Sequence, residues 1–580
     1  MSSRPTQSSE DEPRQAASLD AISLELIRNS LLSICEEMAG ALVRSSHSPN
    51  IKERRDCSCS IYTPTGEMAV QAEHIPIHLG VMPYALKGIL SQFPAEHMKP
   101  GDTYVVNDPY YGGNHLPDLI IAGPLFLDGS LVGFAASMAH HTDVGGMTPR
   151  SMPPHATEIF HEGLRIPPIQ LSREWQVRDD ILRLIAVNSR LPAERIADST
   201  AQIATVRLAQ RRIEEIGRNY RAHELLSAVS RILDLSEQAM RIRLGRLPHG
   251  EWRGESIADY GGASFPLRVK IFTRGSELVV DFAGTGPQCL GPFNACLSNT
   301  YACVFMALRV VLGGEIPPNG GLYRPIQIVV PEGTILNPGY PAAISAATQV
   351  SYHTFEALMR ALAPLAPNLV VADCGGGGVF SFGGTHPRTG NLYVYGEANG
   401  GGAGGSASGD GESAVMPPIA NLRDTPAESL EMSLPVRLER YELIDGSGGA
   451  GKFRGGLGLR RIFRMLAPAT CAFQMSMTRK PPFGMEGGCS GTVTRCEVVS
   501  ADGRSTSISA FTTYEAKAGD LIVIETAGGG GFGSPKDRSE ESIQADVKNR
   551  YVVRGQESTS GPRGSGVTRN PSRGEDRAGG

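Results

Sequence analysis

Five side chains suited to binding metals or moving protons stand at the two ends of one apolar ribbon, "NHLPDLIIAGPLFLDGSLVGFAASMAHHTDVGG" (114–146). His115 and Asp118 open it, and His140, His141 and Asp143 close it. Two imidazoles and a carboxylate that leave coordination positions open suit a divalent transition metal: manganese, zinc or iron. His115, Asp118 and His140 are the candidate ligands. His141, Asp143 and Glu162 are candidates to move protons. His161, in "IFHEG", is a candidate fourth ligand or a supporting group beside the ligands. The competing reading makes all of them turn and cap residues with ordinary hydrogen bonds.

The ribbon itself shows how its ends meet. Asp128-Gly129 is a strong two-residue hairpin signal, because a type I′ turn needs positive φ at both positions. Taking those two residues as the loop pairs Leu127 with Ser130, Asp118 with Ala139, Pro117 with His140 and His115 with Thr142. Directly opposite residues lie ~5 Å apart at Cβ, so both clusters meet at the open end. Pro117 cannot donate to the ladder, and the strand is expected to stop there.

Other residues are expected around the same pocket. His74 and His78 in "AEHIPIHLG" are four apart, but Pro76 between them opposes a regular helix interior. They line the pocket or are structural. Asn107, Asp108, Gly112 and Gly113 in "NDPYYGGNH" belong to the same candidate pocket. Backbone amides of "YYGG" (110–113) or "DVGG" (143–146) could receive an oxyanion or phosphate, or be plain tight turns.

The surrounding pattern sets the elements that position these groups. A helix is predicted over 20–45, capped by Asp20, with Ile27, Leu31, Ile34, Met38 and Leu42 on one face. "CSCSIYT" and "MAVQAEHI" flank the turn "PTGE" as a second hairpin. "VMPYALKGILSQF" reads as a helix and "TYVVNDP" as a strand. Residues 179–245 read as two or three helices, strands resume at Glu251, and helices return near 298–313 and 349–363. From 369 to 535 the chain is strand-like and glycine-rich. The fold class is α+β, mixed and multi-domain: an N-terminal α/β part carrying the hairpin site, then a β-rich, glycine-rich C-terminal part. The expected divisions are a tail at 1–19, domains at 20–245 and 246–535, a helix at 536–553 and a tail at 554–580.

Composition narrows the class. The chain has 580 residues, enough for two to four domains, and a net charge of −5 with no basic stripe for nucleic acid. No apolar run approaches the ~18 residues of a membrane span. The N-terminus "MSSRPTQSSEDEPRQAAS" lacks the apolar stretch of a secretory signal. Ten cysteines without a CxxC pair fit buried, reduced thiols, and the expected location is cytoplasmic. Two glycine motifs are set aside for nucleotide binding. "GSGGAGKF" (446–453) ends in Phe453 where a P-loop needs Ser or Thr. "VVDFAGTG" (279–286) lacks the second acidic loop that a phosphate site of its type requires. The runs "CGGGGVF" (374–380) and "AGGGGFG" (527–533) could be anion nests or close-packed crossings.

Several longer stretches occur in order from about Ile22 to Val553. They are "NIKERRDCSCSIYTPTGEMAVQAEHIPIHLGVMP", "NDPYYGGNHLPDLIIAGPLF", "AHHTDVGG", "NPGYPAAI", "SGGAGKFRGGLG" and "GGGGFGSP". Together they resemble the hydantoinase B / 5-oxoprolinase family. The resemblance implies a subunit acting with a hydantoinase A-type partner that binds ATP. Such a pair opens a cyclic amide, such as an N-methylhydantoin, hydantoin or 5-oxoproline. It also implies a hetero-oligomer and a metal held by an H-x-x-D pair and a later histidine, which fall on His115, Asp118 and His140. ATP would activate the amide carbonyl on the partner, and a metal-bound water here would attack the activated carbon. Related acetone and acetophenone carboxylases use a similar chain on ketones, and this is the alternative activity. A non-catalytic subunit and a free-standing metallohydrolase are further alternatives. Many relatives carry Thr where this chain has Asn114, whose amide can still hydrogen-bond.

Overall fold

The computed structural model describes residues 20–552 except Glu73. The expected tails at 1–19 and 554–580, and Val553 at the end of the expected last helix, lie outside the described residues. The first helix spans Ala21–Ser45. Asp20 accepts the Ser23 amide at 2.7 Å, satisfying one of the donors a helix start leaves free. Its Ile27, Leu31, Ile34, Met38 and Leu42 are buried as their spacing predicts.

The N-terminal part is built on one antiparallel sheet of seven strands: β1 (Cys57–Tyr62), β2 (Met68–Gln71), β3 (Thr103–Val106), β4 (Asp118–Leu127), β5 (Ser130–His140), β6 (Ile169–Arg173) and β7 (Gln176–Val177). Their order is β2-β1-β5-β4-β3-β6-β7, so the β4–β5 hairpin lies inside the sheet. Both faces of that hairpin are covered. Leu119, Ile121 and Ala135 pack with Ile203, Val206 and Ala209 of helix Pro192–Ile216. Ile120, Ala122, Phe134 and Met138 pack on the other face with Met82 and Leu86 of helix His78–Gln92. Two covered faces explain why the ribbon is apolar throughout instead of alternating.

The hairpin turn forms as expected, with Asp128 and Gly129 at φ 51° and 75°. Its register does not. Phe126 pairs with Leu131, but Leu125 pairs with Gly133, so Val132 is an extra residue on β5. Beyond this bulge Asp118 stands opposite His140, where the uninterrupted register had Ala139. The consequence is large, because successive side chains alternate between faces and a one-residue slip moves a side chain to the other face. Without the bulge, Asp118 and His140 would point to opposite sides of the sheet. Gly133 is required here: a Cβ on it would lie 2.1 Å from the Tyr62 carbonyl oxygen of β1.

Three helices, Asp179–Val187, Pro192–Ile216 and Ala222–Leu244, fill the predicted helical stretch. A four-stranded sheet follows, in which Glu251–Tyr260, Ala263–Arg274 and Glu277–Asp281 are antiparallel and Ile326–Val329 joins in parallel. The expected division near 246 falls in the connection before this sheet, yet one apolar cluster crosses it, joining Tyr104 and Phe134 to Val269 and Leu278. Two further antiparallel sheets, of four and five strands, occupy 377–525 and enclose Phe380, Phe382, Phe463 and Phe473. "GSGGAGKF" links two antiparallel strands, Val436–Leu443 and Leu459–Met465. A last helix spans Glu540–Lys548. All ten cysteines are free, and among the described residues no helix is long and apolar enough to cross a membrane.

Candidate metal centre

Asp118 begins β4, His140 ends β5, and His115 sits one turn before β4. The Asp118 amide donates to the His115 carbonyl at 2.9 Å, which folds His115 back over the hairpin mouth. One ligand atom from each of the three residues lies within 4.8 Å of the others, and all three residues are buried. His115 Nε2 is 3.1 Å from Asp118 Oδ2. The two imidazoles meet edge to face, with centroids 4.9 Å apart.

The supporting hydrogen bonds fit a metal. Asn114 Nδ2 donates to Asp118 Oδ2 at 2.7 Å, and Asn299 Nδ2 donates to Asn114 Oδ1 at 2.8 Å. His140 Nδ1 lies 3.0 Å from the His141 carbonyl oxygen and 3.1 Å from Asn50 Nδ2. Donation from Nδ1 to that carbonyl leaves Nε2 with its lone pair, as a ligand needs. His140 Nε2 and Asp118 Oδ1 are both buried and have no hydrogen-bond partner. Buried polar atoms are normally paired. Two such orphans in an N, N, O donor set fit manganese, zinc or iron better than the all-oxygen sets that calcium and magnesium prefer.

The electrostatics differ among the three groups. Burial disfavours charge on His140, Arg150 nearby adds to this, and its pKa falls well below the ordinary range, so it is neutral at pH 7. Burial would also lower His115, but the Asp118 carboxylate outweighs it and holds the imidazole above its usual value. Burial would raise Asp118, but His115 outweighs it and holds the carboxyl far below its usual range.

Glu162 is fully buried, and its Oε1 accepts the Ile344 and Ser345 amides at 2.7 Å each. Oε2 has no partner. Burial pushes the carboxyl up to about 8 against those two amides and the charge of His115. The carboxyl is thereby shifted toward its protonated form.

Other expected residues have different jobs. His141 follows His140 and faces the opposite side, where its Nε2 meets Gln202 Oε1 at 2.8 Å. Gln202 in turn donates to the Leu119 and Ser137 carbonyls, so His141 ties the hairpin to a helix and is not in the pocket. Asp143 is fully engaged, accepting from the amides of Gly145, Arg150 and Arg190 and from Arg190 Nη1 at 2.8–3.2 Å. These bonds organise the loop that carries Arg150. His161 is about one-third exposed and lies 3.6 Å from Glu158, so it is not a fourth ligand. His74 is part-exposed and faces Glu36 at 3.6 Å. His78 is buried at the start of its helix and meets Ser58 Oγ at 2.9 Å. Burial lowers it to about 4, with the Asp118 charge opposing.

Asn107 donates to the Leu116 and Leu164 carbonyls and accepts the Ile166 amide, pinning the segment that carries His115. Asp108 caps Tyr110 and pairs with Arg165 at 2.7 Å. The Gly112 and Gly113 amides donate to Pro109 and Asp108, so "YYGG" does not present them to an anion. These glycines permit close approach: a Cβ would lie 2.2 Å from the Tyr84 carbonyl oxygen at Gly112 and 2.4 Å from that of Asn107 at Gly113. In "DVGG" the Val144 and Gly145 amides are likewise taken, by Ser151 and Asp143.

Four residues around the ligands were not singled out from spacing: Asn50, Arg54, Asp56 and Arg150. Arg54 Nη1 donates to Asn50 Oδ1 at 2.9 Å, one side chain away from His140. Burial and the Asp118 charge push Asp56 up to about 6 against the two arginines. Their only sequence signal was membership in the longer stretches "NIKERRDCSCS" and "AHHTDVGG" and the residues just after.

Comparison with known proteins bears on the whole chain. The family model for hydantoinase B/oxoprolinase matches residues 20–535. A 5-oxoprolinase of Pestalotiopsis fici is 32% identical over 92% of this chain, which spans 43% of that protein. The beta subunit of caprolactamase from Pseudomonas jessenii is 29% identical over 92% of this chain and 94% of its own. The crystal structure of that ATP-dependent caprolactamase superposes with a TM-score of 0.86, over 93% of this chain and 95% of that one. A nucleotide-free acetone carboxylase structure shares the fold, with a TM-score of 0.82 at 19% identity over 92% of this chain and 79% of that one.

Proposed function

This chain belongs to the hydantoinase B/oxoprolinase family, and from that premise we propose that it is the B-type subunit of an ATP-dependent cyclic amide hydrolase. It works with a hydantoinase A-type partner that binds ATP, in the cytoplasm. The pair converts a cyclic amide of the hydantoin or 5-oxoproline type, ATP and water into the ring-opened acid, ADP and phosphate. The observation that carries the reading is the buried His115, Asp118, His140 triad with orphan atoms on His140 and Asp118. Hydrolysis is preferred to ketone carboxylation because the amide-hydrolysing caprolactamase is similar in sequence as well as in fold, whereas the carboxylase likeness is one of fold.

His115, Asp118 and His140 would hold the metal, which when bound supplies Lewis acidity toward an oxygen of water or carbonyl. Asn114 orients Asp118, and the His141 carbonyl holds His140 through Nδ1. Glu162 keeps a proton on its buried carboxyl and can donate it to the departing ring nitrogen. Metal analysis tests the reading: about one equivalent of transition metal in wild type, lost from folded His115→Ala, is expected. ATP-dependent ring opening with the A-type partner should need both metal and His115. A wild-type chain that takes up no metal under metal-replete conditions sinks the proposal.

A further inference from the structure

Two arginines stand beside the candidate ligands with their donors unused. Arg54 and Arg150 are 0% and 2% exposed. Arg54 Nε and Nη2, and Arg150 Nε and Nη1, have no hydrogen-bond partner. Both groups converge on Gly396 of strand Leu392–Gly400: Arg54 Nη1 donates to its carbonyl at 2.9 Å, and a Cβ there would lie 2.3 Å from Arg150 Nη1. Through Asn50, Arg54 is linked to His140. The acids acting on Arg150 are Asp56 and Glu397, and Glu397 is already bonded to Arg461 at 2.8 Å.

The backbone beneath Arg150 is held in an unusual form. Arg150 and Ser151 have φ 73° and 60°, a region that non-glycine residues seldom occupy. Asp143 accepts the Arg150 amide, and Ser151 Oγ bridges the Val144 amide and the Gly145 carbonyl. Strained backbone that is clamped in this way marks positions where side-chain placement matters. A buried guanidinium keeps its charge and is costly to leave unpaired, and its fork matches an oxyanion.

We propose that Arg54 and Arg150 form an oxyanion subsite that receives the phosphoryl group of the ATP-activated substrate next to the metal ligands. The identity of the anion rests on the ring-opening reading; the subsite itself rests on the two guanidinium groups. Four unpartnered nitrogen atoms on two forks, carrying six N–H donors, suit a phosphoryl group with its several acceptor oxygens better than a carboxylate with two. Asp143 is then a positioning residue for Arg150.

The test is isothermal titration of the full-length chain with inorganic phosphate, in EDTA so that no metal can bind the anion, with acetate in parallel. Saturable phosphate binding is expected, tighter than acetate and weakened at least ten-fold in Arg54→Gln and Arg150→Gln. Circular dichroism and melting temperature check the fold. Should either glutamine variant fail to fold, Arg54→Lys and Arg150→Lys decide, because they keep the charge and lose the fork; a several-fold loss is expected. Absent phosphate binding in wild type, or binding unchanged in folded variants, overturns the subsite. Tighter acetate binding overturns the phosphoryl assignment. Phosphate binding by a chain that opens no ring with its partner would refute the reaction and leave the oxyanion subsite. Ring opening without phosphate binding would do the reverse.

Discussion

Two buried regions of this molecule handle polar groups in opposite ways. In the C-terminal part, glycine segments cross and satisfy one another. The amides of Gly402, Gly456 and Gly529 donate to the carbonyls of Ala527, Ala403 and Gly456 at 2.8–2.9 Å. A Cβ on these residues would lie 1.8–1.9 Å from a neighbouring carbonyl oxygen. The runs at 374–380 and 527–533 are part of this packing, with the Gly375 amide donating to Gly402 and the Gly530 amide to Asp373. They are close-packed crossings, and these amides are not offered to an anion. At the hairpin mouth the side chains are just as buried, yet His140, Asp118, Glu162, Arg54 and Arg150 all keep atoms without partners. Glycine amides that pair with neighbouring carbonyls mark backbone packed for structure, whereas five neighbouring ionisable side chains with unpaired buried atoms mark a region built to receive something.

The contrast should show in mutants. Gly456→Ala puts a methyl group 1.8 Å from the Glu412 carbonyl oxygen, where only backbone could move. Loss of soluble, folded protein is expected, a cost on the order of several kcal/mol, read by expression and melting temperature. His140→Ala removes Nε2, which bonds nothing in the protein, at the loss of the Nδ1 contact to the His141 carbonyl. It should fold with a melting temperature within a few degrees of metal-free wild type, yet lose metal and at least ~100-fold in ring opening. A His140→Ala chain that unfolds, or a Gly456→Ala chain that melts normally, would break the contrast.

Acidity sharpens it. Burial pushes the Glu162 carboxyl up to about 8 in the fold, from an ordinary value of 4.5. Between those values the folded chain keeps a proton that the unfolded chain has lost, so stability falls as pH rises through the window. Glu162→Gln cannot ionise and retains an acceptor for the Ile344 and Ser345 amides. Its advantage in melting temperature over metal-free wild type should grow from pH 5 to pH 8, by the equivalent of roughly 2–4 kcal/mol. A constant difference across that range would show that Glu162 is ionised in the fold. The smallest effect is expected at Asn50→Ala, which leaves the ligands in place but removes a side chain that meets His140 Nδ1. Metal affinity should fall about 10- to 100-fold, measured by competition with a chelator, and the fold should persist.

The amino-acid sequence alone determined what short-range physics controls. Asp20 and the apolar spacing set the first helix, Asp128-Gly129 set the hairpin turn, and Pro117 set the start of β4. The i, i+3 spacing of His115 and Asp118 placed two candidate ligands together before any strand paired. Tertiary structure decided the rest. The bulge at Val132 put Asp118 and His140 on one face. It goes with the close approach of β1 to Gly133, which no local pattern reveals. His141 and Asp143 looked like chemistry because their types suit it; Gln202 and Arg190, distant in sequence, turned them to structure. Arg54, Arg150 and Glu162 reach the site only when segments hundreds of residues apart, around Ile344 and Gly396, close over the hairpin. Spacing encodes groups that share a turn or a strand. Burial and unpaired polar atoms are properties of the closed chain, and the face of the hairpin on which a group lands separates the candidate ligands from His141, whose own Nδ1 is also buried and unpaired.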